Sequence, residues 1–257
     1  VLMEDFEEAL DRVIGGLELK SRIMSEKERR VVAFHEVGHA LAASLLEHAD
    51  PVHRITVIPR GIGSLGMTTQ LPEEDRYIMT LPELEDRLAV LMGGRAAEEI
   101  VFGELSTGAQ NDLEKATLLA HRMIESFGMS DVLGPISLGA ERGPRLLGGE
   151  FGFGTERDYS DSTAEVVDQE VKKIIDSCYG RVNHLLTENA DEMAKVAQVL
   201  LEKEVIEGKE LTLLLGMEEK EEKNDSPAEK EKPERESPGV LSEDSRTPNV
   251  LGEAPAD

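Results

Sequence analysis

Apolar residues near the start of the chain recur at the spacing of one helix face. Between residues 25 and 47 they stand at Val31, Val32, Phe34, Leu41 and Leu45. Ser25 and Glu28 have the spacing of a capping box, in which each side chain bonds the other residue's backbone N–H. The pattern therefore predicts an amphipathic helix from about Ser25 to Glu47, which Pro51 prevents from continuing.

A short β region follows this helix. Residues 54–58 alternate polar and apolar side chains and are rich in β-branched residues, and residues 67–71 resemble a return strand. Gly61, Gly63 and Gly66 lie between them with G-x-G-x-x-G spacing. A dinucleotide site would need a helix to begin at these glycines, so we interpret them as a hairpin turn.

The remaining pattern is helical. Thr80 and Glu83 have capping-box spacing and predict a helix to about Val101, and a second helix runs from a cap signal at residues 107–110 to about Phe127. Residues 134–158 are predicted to be irregular. A long helix begins near Ser162, with shorter ones at 190–203 and 207–215. The long helix carries one apolar stripe, formed by Val167, Val171, Ile174, Cys178, Val182 and Leu185. The predicted fold is mainly α with a small antiparallel β element.

Composition narrows the possible partners. Hydrophobic residues make up 39% and charged residues 32%, as in soluble globular domains, and the net charge is −25. Such an acidic surface repels the phosphate backbone and argues against nucleic acid as a partner. Residues 217–257 are acidic and contain five prolines, which predicts a disordered tail. Cys178 is the one cysteine, so an internal disulfide is excluded, and it is predicted to be a core residue.

Residues 35–39 carry the main candidate chemistry. They read His-Glu-Val-Gly-His, the H-E-x-x-H pattern of zinc peptidases. On a helix, His35 and His39 lie one turn apart on the same face, so both imidazoles can bind one metal ion. Zinc lowers the pKa of bound water to about 7, and Glu36 would accept its proton as general base. The other four histidines, His48, His53, His121 and His184, lack ligand-like spacing.

The motif alone does not identify the third metal ligand. The metzincin extension fails, because Ala42 and Leu45 stand where that pattern needs Gly and His. The following β region contains no Glu that could serve as in thermolysin. A more distant carboxylate is needed, and spacing alone does not choose between the candidates, which are Glu98, Glu99 and Asp112.

Four ordered blocks carry a family resemblance. The runs FHEVGHAL, GGRAAEEIVFG, STGAQNDLEKAT and FGMSDVLGPISL resemble the FtsH family of membrane-bound AAA metalloproteases, over about residues 1–215. The resemblance implies one zinc ion per chain, with His35, His39 and Asp112 as ligands and Glu36 as general base. It thus favours Asp112 over Glu98 and Glu99, which we expect to have structural roles or to support the ligands.

The resemblance also implies a larger protein. Residues 1–24 are expected to be the remnant of an AAA ATPase lid and linker, and residues 25–216 the peptidase domain. No G-x-x-x-x-G-K-[ST] phosphate loop is present, so ATP would act only through an ATPase module that this chain lacks. We expect the whole protein to be a homo-hexamer anchored in a membrane, most simply the bacterial inner membrane. Its peptidase would face the cytoplasm and act on unfolded or threaded polypeptides.

Two other functions compete with this interpretation. A catalytically silent assembly module would be expected to lose Glu36 or a ligand histidine, and this chain keeps them. A purely structural zinc site usually has four protein ligands, often including cysteine, whereas three can be named here. We also expect an exposed edge strand in the 54–71 region to pair with extended substrate.

Overall fold

The computed structural model describes residues 24–60, 65–72, 76–138 and 159–217, together with isolated positions 9, 12, 13 and 16. In these ranges the chain is mainly helical with one small sheet, as predicted. The elements, in chain order, are α1 Glu26–Leu45, β1 Val52–Thr56, β2 Met67–Gln70, α2 Leu81–Phe102, α3 Gln110–His121, a π-helical turn Arg122–Ser126, α4 Asp161–Glu188, α5 Ala190–Lys203, β3 Val205–Glu207 and α6 Gly208–Leu214.

Helix α1 forms as its sequence predicts. Ser25 is the N-cap, and its hydroxyl accepts from the backbone N–H of Glu28 while the Glu28 carboxylate accepts from the Ser25 N–H. The two bonds satisfy backbone donors that a helix start leaves without partners. All residues from Val32 to Ala43 are buried, so α1 is the central helix of the core rather than a surface helix.

Helices α1 and α2 cross at a pair of glycines. A Cβ at Gly38 would lie 2.4 Å from the carbonyl oxygen of Gly93, and a Cβ at Gly93 would lie 2.6 Å from that of Gly38. Both distances are far below van der Waals contact, so the backbones can approach this closely only without side chains. The crossing brings the middle of α2 against the H-E-x-x-H turn of α1.

The start and end of α2 match the prediction, whereas the start of α3 does not. Thr80 and Glu83 form the predicted capping box, and α2 ends at Gly103, whose φ of 64° is left-handed. Helix α3 begins after Ala109, which makes no side-chain cap, so the cap predicted from residues 107–110 is wrong. The helix then changes at Arg122 into a π-helical turn, which no local pattern predicts.

The sheet has three strands in the order β2-β1-β3, and both pairs are antiparallel. The two predicted strands are present, and β1 occupies 52–56 rather than 54–58. Strand β3 was not predicted: its three residues are too few to show an alternating pattern, and it forms because Ile206 packs opposite Ile55 of β1. Within the described residues, β2 is therefore an edge strand.

Helix α4 packs its apolar stripe on the core. Val167, Val171, Cys178 and Val182 are buried as predicted, but the last buried position is Leu186, while Leu185 is only partly buried. Burial raises the pKa of the Cys178 thiol to about 11, which fits a core residue rather than a nucleophile.

Several predictions lie outside the described residues. The ATPase remnant at 1–24 and the tail at 217–257 fall almost wholly there, as do the glycine turn at 61–64 and most of the irregular region 134–158. The chain divides into two units, Val1–Glu219 and Lys220–Asp257, and all residues of the second lie outside the described ranges. No helix in the described part of the chain is both long and apolar enough to cross a bilayer.

Candidate metal centre

Three side chains converge at the crossing of α1 and α2. His35 and His39 are one turn apart on α1 and 8% exposed each, and their Nε2 atoms lie 3.0 Å from each other. The Oδ2 atom of Asp112 lies 3.3 Å from Nε2 of His35 and 3.4 Å from Nε2 of His39. Within the described ranges these three residues form the group of metal-binding side chains that could hold an ion, and their ligand atoms all lie within 4.8 Å of one another.

Each imidazole has its other nitrogen bound to the protein. Nδ1 of His39 lies 2.7 Å from the carbonyl oxygen of Val90, which can only accept, so Nδ1 carries the hydrogen. Nδ1 of His35 lies 2.7 Å from Oε1 of Glu98. With Nδ1 as the donor, each neutral ring presents the lone pair of Nε2 toward Asp112. This tautomer and orientation are what metal-binding histidines need.

Glu98 and Glu99 occupy other positions than Asp112. Glu98 is 2% exposed and lies behind His35, where its second oxygen accepts from the backbone N–H of Ser106 at 3.0 Å. Glu99 accepts a hydrogen bond from the hydroxyl of Tyr179 on α4. Of the three carboxylates left open by the sequence, Asp112 is the one that contacts both Nε2 atoms.

Gly94 leaves space beside the two rings. A Cβ at this position would lie 2.5 Å from Cε1 of His35 and 2.6 Å from Nε2 of both histidines. Two imidazole nitrogens and one carboxylate oxygen around such a space match the three-ligand sets of catalytic zinc sites, which keep a fourth position open. The residues present thus fit a zinc ion.

The charges of the cluster depend on one another. Burial by itself would lower the pKa of His35, but the carboxylates of Asp112 and Glu98 outweigh it and raise that pKa to about 10. Burial would raise the pKa of Asp112, yet its hydrogen bonds to His35 and His39 hold it well below its usual range. Glu98 likewise has a lowered pKa, since its bonds to His35 and Ser106 outweigh burial. Without metal, the site balances a charged imidazole against two carboxylates.

Glu36 lies beside this cluster but outside it. It is 7% exposed, and burial raises its pKa, partly offset by the two histidines. The hydroxyl of Thr68, on β2, donates to Oε2 of Glu36 at 2.8 Å. A carboxylate with a raised pKa is a better proton acceptor than an exposed one at neutral pH.

The other histidines lie elsewhere, as predicted. Nδ1 of His121 is 3.5 Å from Oε2 of Glu125, and Nε2 of His184 is 3.5 Å from Oε1 of Glu188, each one helical turn away. Neither histidine belongs to a group of potential metal ligands in the described ranges. Sequence reasoning missed Gly94 and Thr68. Two adjacent glycines inside a helix are a signal for close packing, because each costs about 1 kcal/mol relative to alanine. Thr68 carries no such local signal.

Comparison with known proteins finds one family model and several similar relatives. The model of Peptidase family M41 matches residues 22–214. The ATP-dependent zinc metalloprotease FtsH of Pseudothermotoga lettingae is 52% identical over 215 residues, covering 84% of this chain and 34% of the relative. The proteins of the same name from Thermotoga maritima and Bacillus subtilis are 46% and 47% identical, and cover 85% and 82% of this chain.

This chain spans about a third of the length of these curated relatives. The family match nevertheless includes α1, α2 and α3, and with them every side chain that converges on the candidate metal centre. The chain belongs to peptidase family M41.

Proposed function

We propose that this chain hydrolyses peptide bonds with a zinc-activated water, using His35, His39 and Asp112 as metal ligands and Glu36 as general base. The observation that carries the proposal is the convergence of both Nε2 atoms on one oxygen of Asp112, with Glu36 buried on the same helix. The relatives named above are zinc metalloproteases, which supports zinc as the ion.

Zinc in such a site supplies a Lewis acid that polarises a carbonyl and makes water acidic enough to attack at neutral pH. The protein's own residues supply the proton transfer. Glu36 accepts a proton from the attacking water and returns it to the leaving amine. Its burial keeps the carboxylate from being satisfied by bulk water, and Glu98 and Val90 hold the imidazoles in the tautomer that the metal needs.

Two alternatives are less well supported. A purely structural zinc site would normally have a fourth protein ligand, and none accompanies the three in the part of the chain described. A silent assembly module has no need to keep Glu36 beside the two ligand histidines, and this chain keeps all three residues.

The decisive test is cleavage of an unfolded protein such as casein. We expect activity that disappears with a zinc chelator, returns on addition of zinc, and is absent in Glu36→Gln, which preserves size and removes the base. One zinc per chain without cleavage would favour the assembly alternative for the isolated chain. Undiminished cleavage by Glu36→Gln would refute the assignment of the base.

We further propose that β2 binds substrate by adding a strand to its outer edge. Leu71 donates its N–H to the carbonyl of Pro51 on the β1 side. Backbone groups alternate along an antiparallel strand, so the N–H groups of Thr68 and Gln70 point away from β1. Strand β2 also contacts Glu36 through Thr68, so a peptide paired with this edge would pass close to the base.

Comparing Gln70→Pro with Gln70→Ala tests this binding mode. Both variants lose the bond from Nε2 of Gln70 to the carbonyl of Asp50, but only the proline removes the outward N–H. We expect Gln70→Pro to raise KM strongly while zinc content stays unchanged, and Gln70→Ala to resemble the wild type. Equal KM values in the two variants would exclude pairing through this N–H.

A wider proposal concerns the organisation of the full-length protein. Its relatives are named ATP-dependent, so we propose that the peptidase at residues 25–216 works with an ATPase module, of which residues 1–24 are the end, and that residues 217–257 form a disordered tail. We propose a membrane-anchored homo-hexamer with the peptidase in the cytoplasm. This chain alone should cleave unfolded but not stably folded proteins, because unfolding would need the ATPase module. Degradation of a folded protein without ATP would contradict this proposal.

A further inference from the structure

The carboxylate of Glu36 lies between α1 and the edge strand β2. The hydroxyl of Thr68 is 2.8 Å from Oε2 of Glu36 and 3.0 Å from the backbone oxygen of the same residue. A hydroxyl has one hydrogen, and the carboxylate is both the closer and the charged acceptor. Thr68 therefore gives Glu36 a charge-assisted hydrogen bond from a strand that is far from it in sequence.

Gly66 limits the other side of the same carboxylate. A Cβ at Gly66 would lie 2.8 Å from Oε1 and from Cγ of Glu36, and 2.8 Å from Cγ1 of Val32. The backbone before β2 thus closes over Oε1, while Thr68 holds Oε2. Thr68 on β2 and Gly66 just before the strand together restrict the rotation of the glutamate about its last torsion, which is otherwise broad.

We infer that Thr68 is a positioning residue for the general base, and that β2, the strand we propose to pair with substrate, also orients Glu36. The inference rests on the proposed role of Glu36. The oxygen of a general base must lie within about 2.6–3.2 Å of the water oxygen whose proton it accepts. A displacement of about 1 Å can cost on the order of a hundredfold in rate, so a hydroxyl that fixes the carboxylate has a measurable effect.

Thr68→Val is the direct test, because valine keeps the shape and the β-branching of threonine and removes only the hydroxyl. We expect kcat for casein or a reporter peptide to fall ten- to a hundredfold, with KM and zinc content unchanged. Thr68→Ser restores a hydroxyl and should recover most of kcat. A role limited to strand stability would not produce this separation between kcat and KM or the recovery by serine.

The chain offers a matched control at the next position. Thr69 is also a buried threonine of β2, but its Oγ1 has no hydrogen-bond partner among the described residues. Thr69→Val removes a hydroxyl from the same strand without removing a bond to Glu36. We therefore expect Thr69→Val to keep wild-type kcat and to be as stable as the wild type or more so.

Several outcomes would overturn the inference. They are an unchanged kcat in Thr68→Val, an equal loss in Thr69→Val, or no recovery in Thr68→Ser. If valine prevents folding, Thr68→Ala provides the same comparison. If the isolated chain gives no turnover, a crystal structure of zinc-loaded Thr68→Val tests the inference instead. A Glu36 carboxylate in the same position as in the wild type would contradict a positioning role for Thr68. Activity in Glu36→Gln would instead refute the proposed function, which separates the two failures.

Discussion

His35 and His39 each commit one ring nitrogen to a protein acceptor and leave the other for the candidate metal centre. The acceptors differ: His39 has the neutral carbonyl of Val90, whereas His35 has the carboxylate of Glu98. A carboxylate partner makes an imidazole a more basic ligand and fixes its orientation more strongly than a carbonyl does. At the scale of single residues, Glu98 is therefore the supporting side chain whose loss should matter most.

We expect Glu98→Ala to weaken zinc binding about 10- to 100-fold, because it removes the acceptor of His35 and the bond to the Ser106 N–H. Glu99→Ala is the matched control: the adjacent glutamate on the same helix contacts Tyr179 rather than a histidine. Competition titrations with a chromophoric chelator would measure both affinities. Equal losses in the two variants would assign the effect to the helix rather than to His35.

Zinc binding should release about one proton at neutral pH. In the metal-free site the pKa of His35 is about 10, so its proton must leave before Nε2 can bind a metal. The apparent affinity should therefore rise about tenfold per pH unit from pH 7 to 9. Calorimetry in buffers of different ionisation enthalpy would count the protons, and a count near zero would show that His35 is already neutral.

The same raised pKa has a consequence for the metal-free fold. A histidine with a raised pKa stabilises the folded state fully below its unfolded value of about 6.5. That stabilisation is lost as the pH rises through about 10. We expect His35→Ala to remove this contribution, so the difference in melting temperature between metal-free wild type and variant should shrink over this window.

At the scale of elements, the crossing of α1 and α2 determines the room for a metal. Gly38 and Gly93 let the two backbones touch, and Gly94 then faces the two imidazoles. Gly180, on α4, has no atom of the described residues within 4 Å of where its Cβ would be. The two helical glycines therefore differ in their surroundings although both lie inside long helices.

We expect Gly94→Ala to lose most bound zinc, since the new methyl group would collide with both rings. Gly180→Ala should keep its zinc and gain about 0.5–1 kcal/mol of stability, because alanine loses less backbone entropy in a helix. Metal analysis and thermal melts would measure both properties. Full zinc occupancy in folded Gly94→Ala would show that the rings can move aside without cost.

At the scale of the whole molecule, the site joins segments that are far apart in the chain. Its candidate ligands come from α1 and α3, and its supports come from β2 and α2. A metal ion held by α1 and α3 would cross-link these helices in the folded state but not in the unfolded chain. Metal binding should therefore contribute to global stability as well as to activity.

We expect zinc at a thousand times its Kd to stabilise the fold by about 4 kcal/mol. Chelation should lower the melting temperature accordingly, and the shift should disappear in Asp112→Ala, which removes the α3 side of the link. Thermal melts with and without chelator would test this. A variant that keeps the full shift would exclude Asp112 as a ligand.

Features that depend on residues close together in the sequence were predicted, whereas features that depend on distant residues were not. The capping boxes of α1 and α2 span three residues and were predicted correctly, as was the shared helix face of His35 and His39. The three-residue strand β3 was missed, because it exists only through its pairing with β1. The π-helical turn and the Ala109 cap were missed since neither has a local signal.

The sequence by itself determined the helices, the hairpin and the H-E-x-x-H pair, because helical periodicity and capping act within one or two turns. Spacing left the third carboxylate open and only the resemblance favoured Asp112; the tertiary structure brings Asp112 to the two imidazoles, and local geometry does not relate them because His39 and Asp112 are 73 positions apart. The same holds for the contact of Thr68 with Glu36 and for the space left by Gly94. Each depends on how elements far apart in the chain pack against one another.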